Sequence, residues 1–372
     1  MILIKNADVY APKHLGKRDL LIAFDKIAEI GENLNPNLKN LEVIDLKGKK
    51  LTPGFIDQHV HVIGGGGEGG LHSRTPELKF SHVIESGVTT LVGVLGTDGI
   101  TKTTESLLAK TKALNNEGIT AYCLSSSYHY PEQPMTENIM KDIVYISEIL
   151  GCKLALSDHR GSHPTKEEII RLVSDIRVAS LVAGKIGVLH IHIGPFEDGI
   201  KPIMEIVEET DIPITHFRPT HMGRHMDDSE KFAKMGGYVD LTAGESTAEK
   251  LIWLRERVNA DRLTLSSDSN GSAPIWDENH NMIGIGVGKM TSLFDTIRAM
   301  VVKFNLPLED ALTHITTNVA AALNFATKGG IFEGADADLT VLDEGLNITD
   351  VFARGKIMMQ DGKILKKGMF EE

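Results

Sequence analysis

The chain has 372 residues, of which 41% are hydrophobic and 24% charged, a globular mixture that excludes fibrous and disordered classes. With 39 Lys and Arg against 51 Asp and Glu, the net charge is −12. Such a chain repels nucleic acid and anionic membrane, so neither is expected as a partner. Two cysteines cannot form a disulfide framework, which fits a reducing compartment. The stretch Met1-Ile2-Leu3-Ile4-Lys5-Asn6-Ala7-Asp8 lacks a signal peptide's long apolar stretch, and no run reaches the roughly 18 apolar residues of a membrane span. The expected address is the cytoplasm.

In chain order, residues 1–50 read as short strands (1–5, 20–24, 26–30 and 41–46) separated by Asn, Asp and Gly. Residues 51–328 alternate apolar strands with helical segments. Eight strands are expected at 54–61, 89–96, 121–126, 153–158, 187–194, 214–221, 238–243 and 263–268. Helices are expected at 77–87, 104–118, 137–150, 165–183, 200–210, 229–236 and 247–259, with two more at 291–304 and 308–325. Residues 329–372 return to strands at 337–342, 351–354, 356–360 and 363–366, with Asp361-Gly362 as a hairpin turn. Neither β-rich end is long enough for a core of its own. The reading is α/β: a (β/α)8 TIM barrel over 51–328, with a small β-sandwich module formed by 1–50 and 329–372. A doubly wound open sheet is the rival, and in its dinucleotide-binding form it would need a Gly-rich phosphate turn after its first strand.

In a barrel the active site lies at the carboxyl ends of the strands. Strand one ends in His59-Val60-His61, strand five in His190-Ile191-His192, strand six in Pro219-Thr220-His221 and strand eight in Ser266-Ser267-Asp268; strand four carries Lys153. Alternate strand residues share a face, so His59 and His61 can hold one divalent ion together. A single His-x-His is as often a hydrogen-bonded core pair. With His192, His221 and Asp268 on the same rim, a metal centre is the better reading. Lys153 lies among Leu154, Ala155 and Leu156; burial and cationic neighbours lower its pKa. A neutral amine adds carbon dioxide to give a carbamate with one oxygen for each of two metals. His190 would lie deeper, orienting a ligand or packing.

These residues resemble the amidohydrolase superfamily, whose pattern is His-x-His on strand one, a carboxylated lysine on strand four, histidines on strands five and six, and Asp on strand eight. The block from Pro53 to Glu68, with its glycine run Gly64–Gly67, is similar to that of the isoaspartyl (β-aspartyl) dipeptidases. So are Leu95-Gly96-Thr97-Asp98, Ser125 to His129, Leu156 to Arg160, Pro219 to His221 with Arg224, and Leu265 to Ser272. Two stretches depart from the pattern: 193–198, and the flanks of Arg224.

The resemblance implies two divalent ions, zinc being suited to imidazole and carboxylate, held by His59, His61, carboxylated Lys153, His192, His221 and Asp268. It implies a β-aspartyl dipeptide as small-molecule substrate, cleaved by a metal-bridging hydroxide to release L-aspartate, and a homo-oligomer, in similar proteins an octamer. Asp268 would move the proton and Tyr128 would donate to the oxyanion. Glu68 would hold the α-amino group, with Gly66, Thr97 and Ser272 as further contacts. Arg160 and Arg224 could clamp a carboxylate, or be ordinary surface ion pairs. An alternative with the same metals is an amidohydrolase acting on a cyclic amide or an N-acyl amino acid; a non-catalytic scaffold is a third. Gly284 to Lys289 imitates a phosphate loop without its spacing. Cys123 and Cys152 read as buried thiols, and His72, His82, His163, His280 and His314 as ordinary surface or core residues.

Overall fold

The computed structural model of the chain describes residues 1–276 and 282–371; His280 lies outside the described residues. The first strand, Ile2–Tyr10, buries Ile2 and Ile4, then Ala7 and Val9. Its period of two slips by one residue at a bulge between Ile4 and Ala7 in the pairing with His14–Ala23. Asn6 takes up the slip with φ +55°, a left-handed value that Asn tolerates. The short strand Lys50–Pro53 pairs with both Ile2–Tyr10 and Leu339–Leu342. Through it, strands from the two ends of the chain join one nine-stranded sheet. Ile4, Leu20, Ile22, Leu51, Leu339, Val341 and Phe352 share its core. At the far hairpin, Asp361 and Gly362 both have positive φ, 46° and 75°, as a two-residue turn needs.

Between these ends lies the barrel. Its strands are Phe55–Val60, Val88–Gly93, Thr120–Ser125, Ile149–Leu156, Val188–Ile193, Phe217–Thr220, Val239–Thr242 and Leu263–Ser266. The first six form one parallel ladder and the last two another. Strands eight and one close through a parallel bridge between Val60 and Ser269 and through His61 N donating to Ser269 O at 2.9 Å. Strands six and seven meet through Thr220 and Asp240. At the amino ends of the strands, Val319 and Ala320 of the helix Thr317–Ala322 pack with Ile56, Val92, Leu150 and Val188. That plug makes the barrel a packed core with one working rim.

Three sequence expectations change. The helix expected at 137–150 is only Ile139–Tyr145, and strand four starts at Ile149. Ile149 and Leu150 are both buried, and a run buried on both faces has no helix-or-strand period to read. The helix expected at 308–325 breaks into Leu308–Leu312, a turn at Thr313–Ile315 and Thr317–Ala322. Two side chains there face the barrel: His314 Nδ1 and Asn318 Nδ2 lie 2.9 and 2.8 Å from Leu263 O. The phosphate-loop mimic is part of an unexpected hairpin, Ser272–Trp276 with Met282–Val287.

Lys328 links sheet and barrel. Its amine, nearly buried, reaches Thr120 Oγ1 at 3.0 Å, Asp336 at 2.8 Å and Asp338 at 2.5 Å. His314 is fully buried. Arg255 Nη1 donates to its Nε2 at 3.0 Å, so the neutral ring carries its proton on Nδ1 and donates to Leu263 O. Burial pushes its pKa down to about 4. The unfolded state therefore binds the proton more readily, and stability falls as pH drops from about 6.5 toward 4. Between pH 7.5 and 5 this one group should cost about 2 kcal/mol. Denaturant titrations of wild type and His314→Asn should show a shallower pH dependence in the variant; equal slopes would refute the assignment.

Candidate active site

The rim is built from irregularities at strand ends. Between Asp57 and Val60, three steps on strand one match two on strand two, a bulge of the kind that re-aims side chains. Gln58 and His59 consequently both reach interior partners: Gln58 Nε2 lies 2.7 Å from Asp240 Oδ1, and His59 Nε2 lies 3.3 Å from Lys153 Nζ. His221 and Asp268 leave their strands in the left-handed region, φ 64° and 53°. Such a backbone costs on the order of 1 kcal/mol or more in a non-glycine residue and persists only where its surroundings over-determine it.

Within that frame the basic groups converge. Asp268 Oδ1 lies 3.1 Å from His61 Nε2 and 3.3 Å from His59 Nε2, and Asp268 Oδ2 lies 3.9 Å from His221 Nδ1. His59, His61 and Asp268 each offer a ligand atom within 4.8 Å of the others. Lys153 is fully buried, and burial pushes its ammonium down to about 7 against the pull of Asp268 and Asp240. Burial, then the charge of Lys153, holds His59 well below the usual imidazole range; burial, then His192, does the same for His221. Burial works to raise Asp268, but the hydrogen bond with His61 and the positive groups around it outweigh that, so its pKa falls. The rings of His59 and His221 are thus neutral beside a carboxylate.

Two of the rings are backed from behind. His190 Nε2 lies 3.0 Å from His59 Nδ1, and Thr242 Oγ1 lies 2.6 Å from His221 Nδ1. Two buried ring nitrogens, His61 Nδ1 and His221 Nε2, have no hydrogen-bond partner. On their other edges His61 Nε2 and His221 Nδ1 face Asp268; buried imidazoles converging on one carboxylate, with ring nitrogens to spare, fit a divalent cation. His192 stands apart: its ring is 4.5 Å from that of His221, but Nδ1 lies 2.8 Å from Tyr128 Oη and Nε2 lies 2.9 Å from Asp158 Oδ2. Burial keeps it down at about 4 despite Asp158.

Above the cluster opens a cleft of about 420 Å3. Its walls include every residue of the expected substrate set: Gly66, Glu68, Thr97, Tyr128, Arg160, Arg224 and Ser272. Gly66 has φ +80°, and a Cβ there would stand 2.5 Å from Ser73 O, so the glycine run is bare because the loop folds on itself. Glu68 gathers Thr97 Oγ1 at 3.2 Å, Arg160 Nη1 at 3.0 Å and Ser272 Oγ at 3.4 Å. Ile285, from the unexpected hairpin, is the one aliphatic side chain among the lining residues.

The two arginines differ. Arg160 lays its fork on buried Asp158, Nε at 2.9 Å and Nη2 at 2.7 Å. Burial works to raise the Asp158 pKa, but its hydrogen bonds from Arg160 and His192 and the Arg160 charge hold it far below the carboxylate range. With that fork occupied, a bidentate grip by Arg160 on a second carboxylate is not available in this arrangement. Arg224 donates through Nη1 to Ile193 O at 2.8 Å and keeps the rest of its guanidinium toward the cleft. Asp158 and Asp240 carry no role in the sequence reading. A lone Asp between Val239 and Leu241 on an apolar strand was the available signal for Asp240. A larger cleft of about 720 Å3, beside Lys79, His82 and Lys363, is remote from this chemistry.

The amidohydrolase family model matches residues 51–358, and the chain belongs to that family. The chain is 43% identical to a β-aspartyl dipeptidase from Fervidobacterium islandicum AW-1, solved in complex with β-Asp-Leu dipeptide, with a TM-score of 0.92 and 98% of each sequence covered. It is 24% identical over 392 aligned positions to an adenine deaminase of Clostridium perfringens, matching along its whole length. It spans only 61% of that deaminase. A D-hydantoinase from Thermus sp. shares the fold at 17% identity, with a TM-score of 0.64 and 100% of this chain and 98% of that one covered. Among the described residues, no helix is long and apolar enough to cross a membrane.

Lys153→Met separates site chemistry from folding. A buried ammonium contributes little to stability, and an apolar side chain of similar length is often neutral or better. In chelator the variant should melt at or above the wild-type temperature, while its zinc affinity in a competition assay falls at least about tenfold. A large drop in melting temperature with unchanged zinc affinity would show the lysine to be structural.

Proposed function

We propose that the chain hydrolyses β-aspartyl dipeptides, releasing L-aspartate, with two divalent ions, zinc by donor chemistry, held by His59, His61, carboxylated Lys153, His192, His221 and Asp268. One observation carries the reading. A carboxylate corner (Glu68 with Thr97 and Ser272) and a guanidinium (Arg224) share one cleft with the cluster of His59, His61 and Asp268. A β-aspartyl dipeptide presents one ammonium and two carboxylates, and the relative with such a dipeptide bound is 43% identical along nearly the whole length. A lysine brought down to about 7 by burial has the neutral amine that carbamate formation needs.

When bound, the ions lower the pKa of water to roughly 7 and polarise the carbonyl. The protein's own groups do the rest. Glu68 takes the α-ammonium of the aspartyl residue, and Arg224 takes a carboxylate. Burial raises the Tyr128 phenol far above neutral pH, so Tyr128 Oη stays a donor to the carbonyl oxygen as negative charge grows there. Asp268 Oδ2 accepts the proton of the attacking water and passes it to the departing amine as the β-linked amide bond breaks. To serve as a ligand, His192 would have to release one of its present partners, Asp158 at Nε2 or Tyr128 at Nδ1. An aliphatic stripe on the helix Lys166–Ala183, Val178, Leu181 and Val182, is exposed, which supports a homo-oligomer.

The test is turnover of β-Asp-Leu against α-Asp-Leu, with and without chelator. The β-linked dipeptide should be cleaved at least about tenfold faster, and chelator should abolish turnover; equal or absent turnover of the two overturns the reading. Glu68→Gln should lower kcat/KM for β-Asp-Leu by about 10- to 100-fold, the loss of one charged hydrogen bond. Unchanged turnover in that variant would favour a cyclic-amide or N-acyl substrate.

A further inference from the structure

Asp240 sits fully buried in strand seven, Val239–Thr242, flanked by Val239 and Leu241. A carboxylate in that position is costly unless its oxygens are satisfied. Here they are filled. Oδ1 accepts from Gln58 Nε2 at 2.7 Å and Thr264 Oγ1 at 3.0 Å; Oδ2 accepts from Thr220 Oγ1 at 2.7 Å and Ser266 Oγ at 2.6 Å. Those bonds occupy the roughly four acceptor sites of an ionised carboxylate.

The donors sit at telling positions. Gln58 immediately precedes His59, Thr220 immediately precedes His221, and Ser266 lies two residues before Asp268 on the same strand. At each of them the backbone leaves regular geometry: Gln58 lies within the bulge of strand one, and left-handed residues follow Thr220 and Ser266 at His221 and Asp268. The carboxylate therefore pins three strands at or just before their irregular step, and that step presents the rim side chain. We infer that Asp240 is a positioning residue that sets the mutual placement of His59, His221 and Asp268. It touches neither substrate nor ion. The inference rests on the reading of the rim as a metal centre. In Asp240→Asn an amide NH2 would stand where one carboxylate oxygen accepts, so two of the hydroxyl partners would have to turn from donating to accepting.

The experiment compares four variants that each remove one bond to Asp240: Gln58→Met, Thr220→Val, Ser266→Ala and Thr264→Val. Thr264 is the internal control: it lies four residues from the nearest rim residue, and although it accepts from Gln58 Nε2 at 2.7 Å, Gln58 keeps its own bond to Asp240 in Thr264→Val. All four should lower the melting temperature in chelator by comparable amounts. Zinc affinity, measured by competition with a chromophoric chelator, should fall about 10- to 100-fold in the first three and stay within about twofold of wild type in Thr264→Val. Equal weakening in all four variants would make the carboxylate merely structural, and undiminished affinity in the first three would overturn the inference outright. A wild-type protein that takes up no zinc would instead defeat the metal-centre reading, and this inference with it.

Discussion

The controlling constraint is the cost of gathering basic nitrogens in a dry place. Lys153 Nζ stands 3.3 Å from His59 Nε2, and His59 is itself 4.9 Å from His190 and 5.2 Å from His221, ring to ring. Charged, these groups would repel one another strongly in a low dielectric. Burial resolves the conflict by keeping the imidazoles neutral. It leaves lone pairs aimed inward and a lysine near its neutral form, which is the state a metal or a carbamate requires. The rigid barrel, its plugged lower end and the paired sheet serve this arrangement by preventing the rings from drifting to solvent.

Electrostatics above the rim follows a different rule. The protein is net acidic, so its overall field does not draw an anionic substrate. Cations have to be placed locally, and each has a defined task. Arg160 joins Asp158 below to Glu68 above, which fixes Glu68 in the cleft. Arg224, largely desolvated, has its pKa lowered by that burial and is the cation with donors left over. A pair of arginines that look equivalent in sequence therefore divides into one that builds the wall and one that faces the open cleft.

The β/α alternation, the eight strands and the strand-end histidines were legible because periodicity and residue type act locally. So was the Asp-Gly turn. What escaped depends on partners distant in sequence. The break in the helix after Leu308 arises where His314 and Asn318 face Leu263 and Ala260 of strand eight's approach. The fork of Arg160 on Asp158 was not legible, because nothing in the sequence says which carboxylate a guanidinium meets. Strand four's early start was invisible because a segment buried on both faces has no alternating pattern.

The rim shows why such failures concentrate at the site. A regular strand would send Gln58 and His59 to opposite faces, and regular strand ends at Thr220 and Ser266 would carry His221 and Asp268 away from the centre. Each is brought back by a locally unfavourable step, a bulge or a left-handed residue. A local rule broken three times around one point signals that something non-local compensates. Strand seven supplies that compensation, from a residue that sequence patterning marks only as a misplaced acid. The convergence of the site is thus a property of how four strands are tied together, and the rim side chains are where that tying becomes visible.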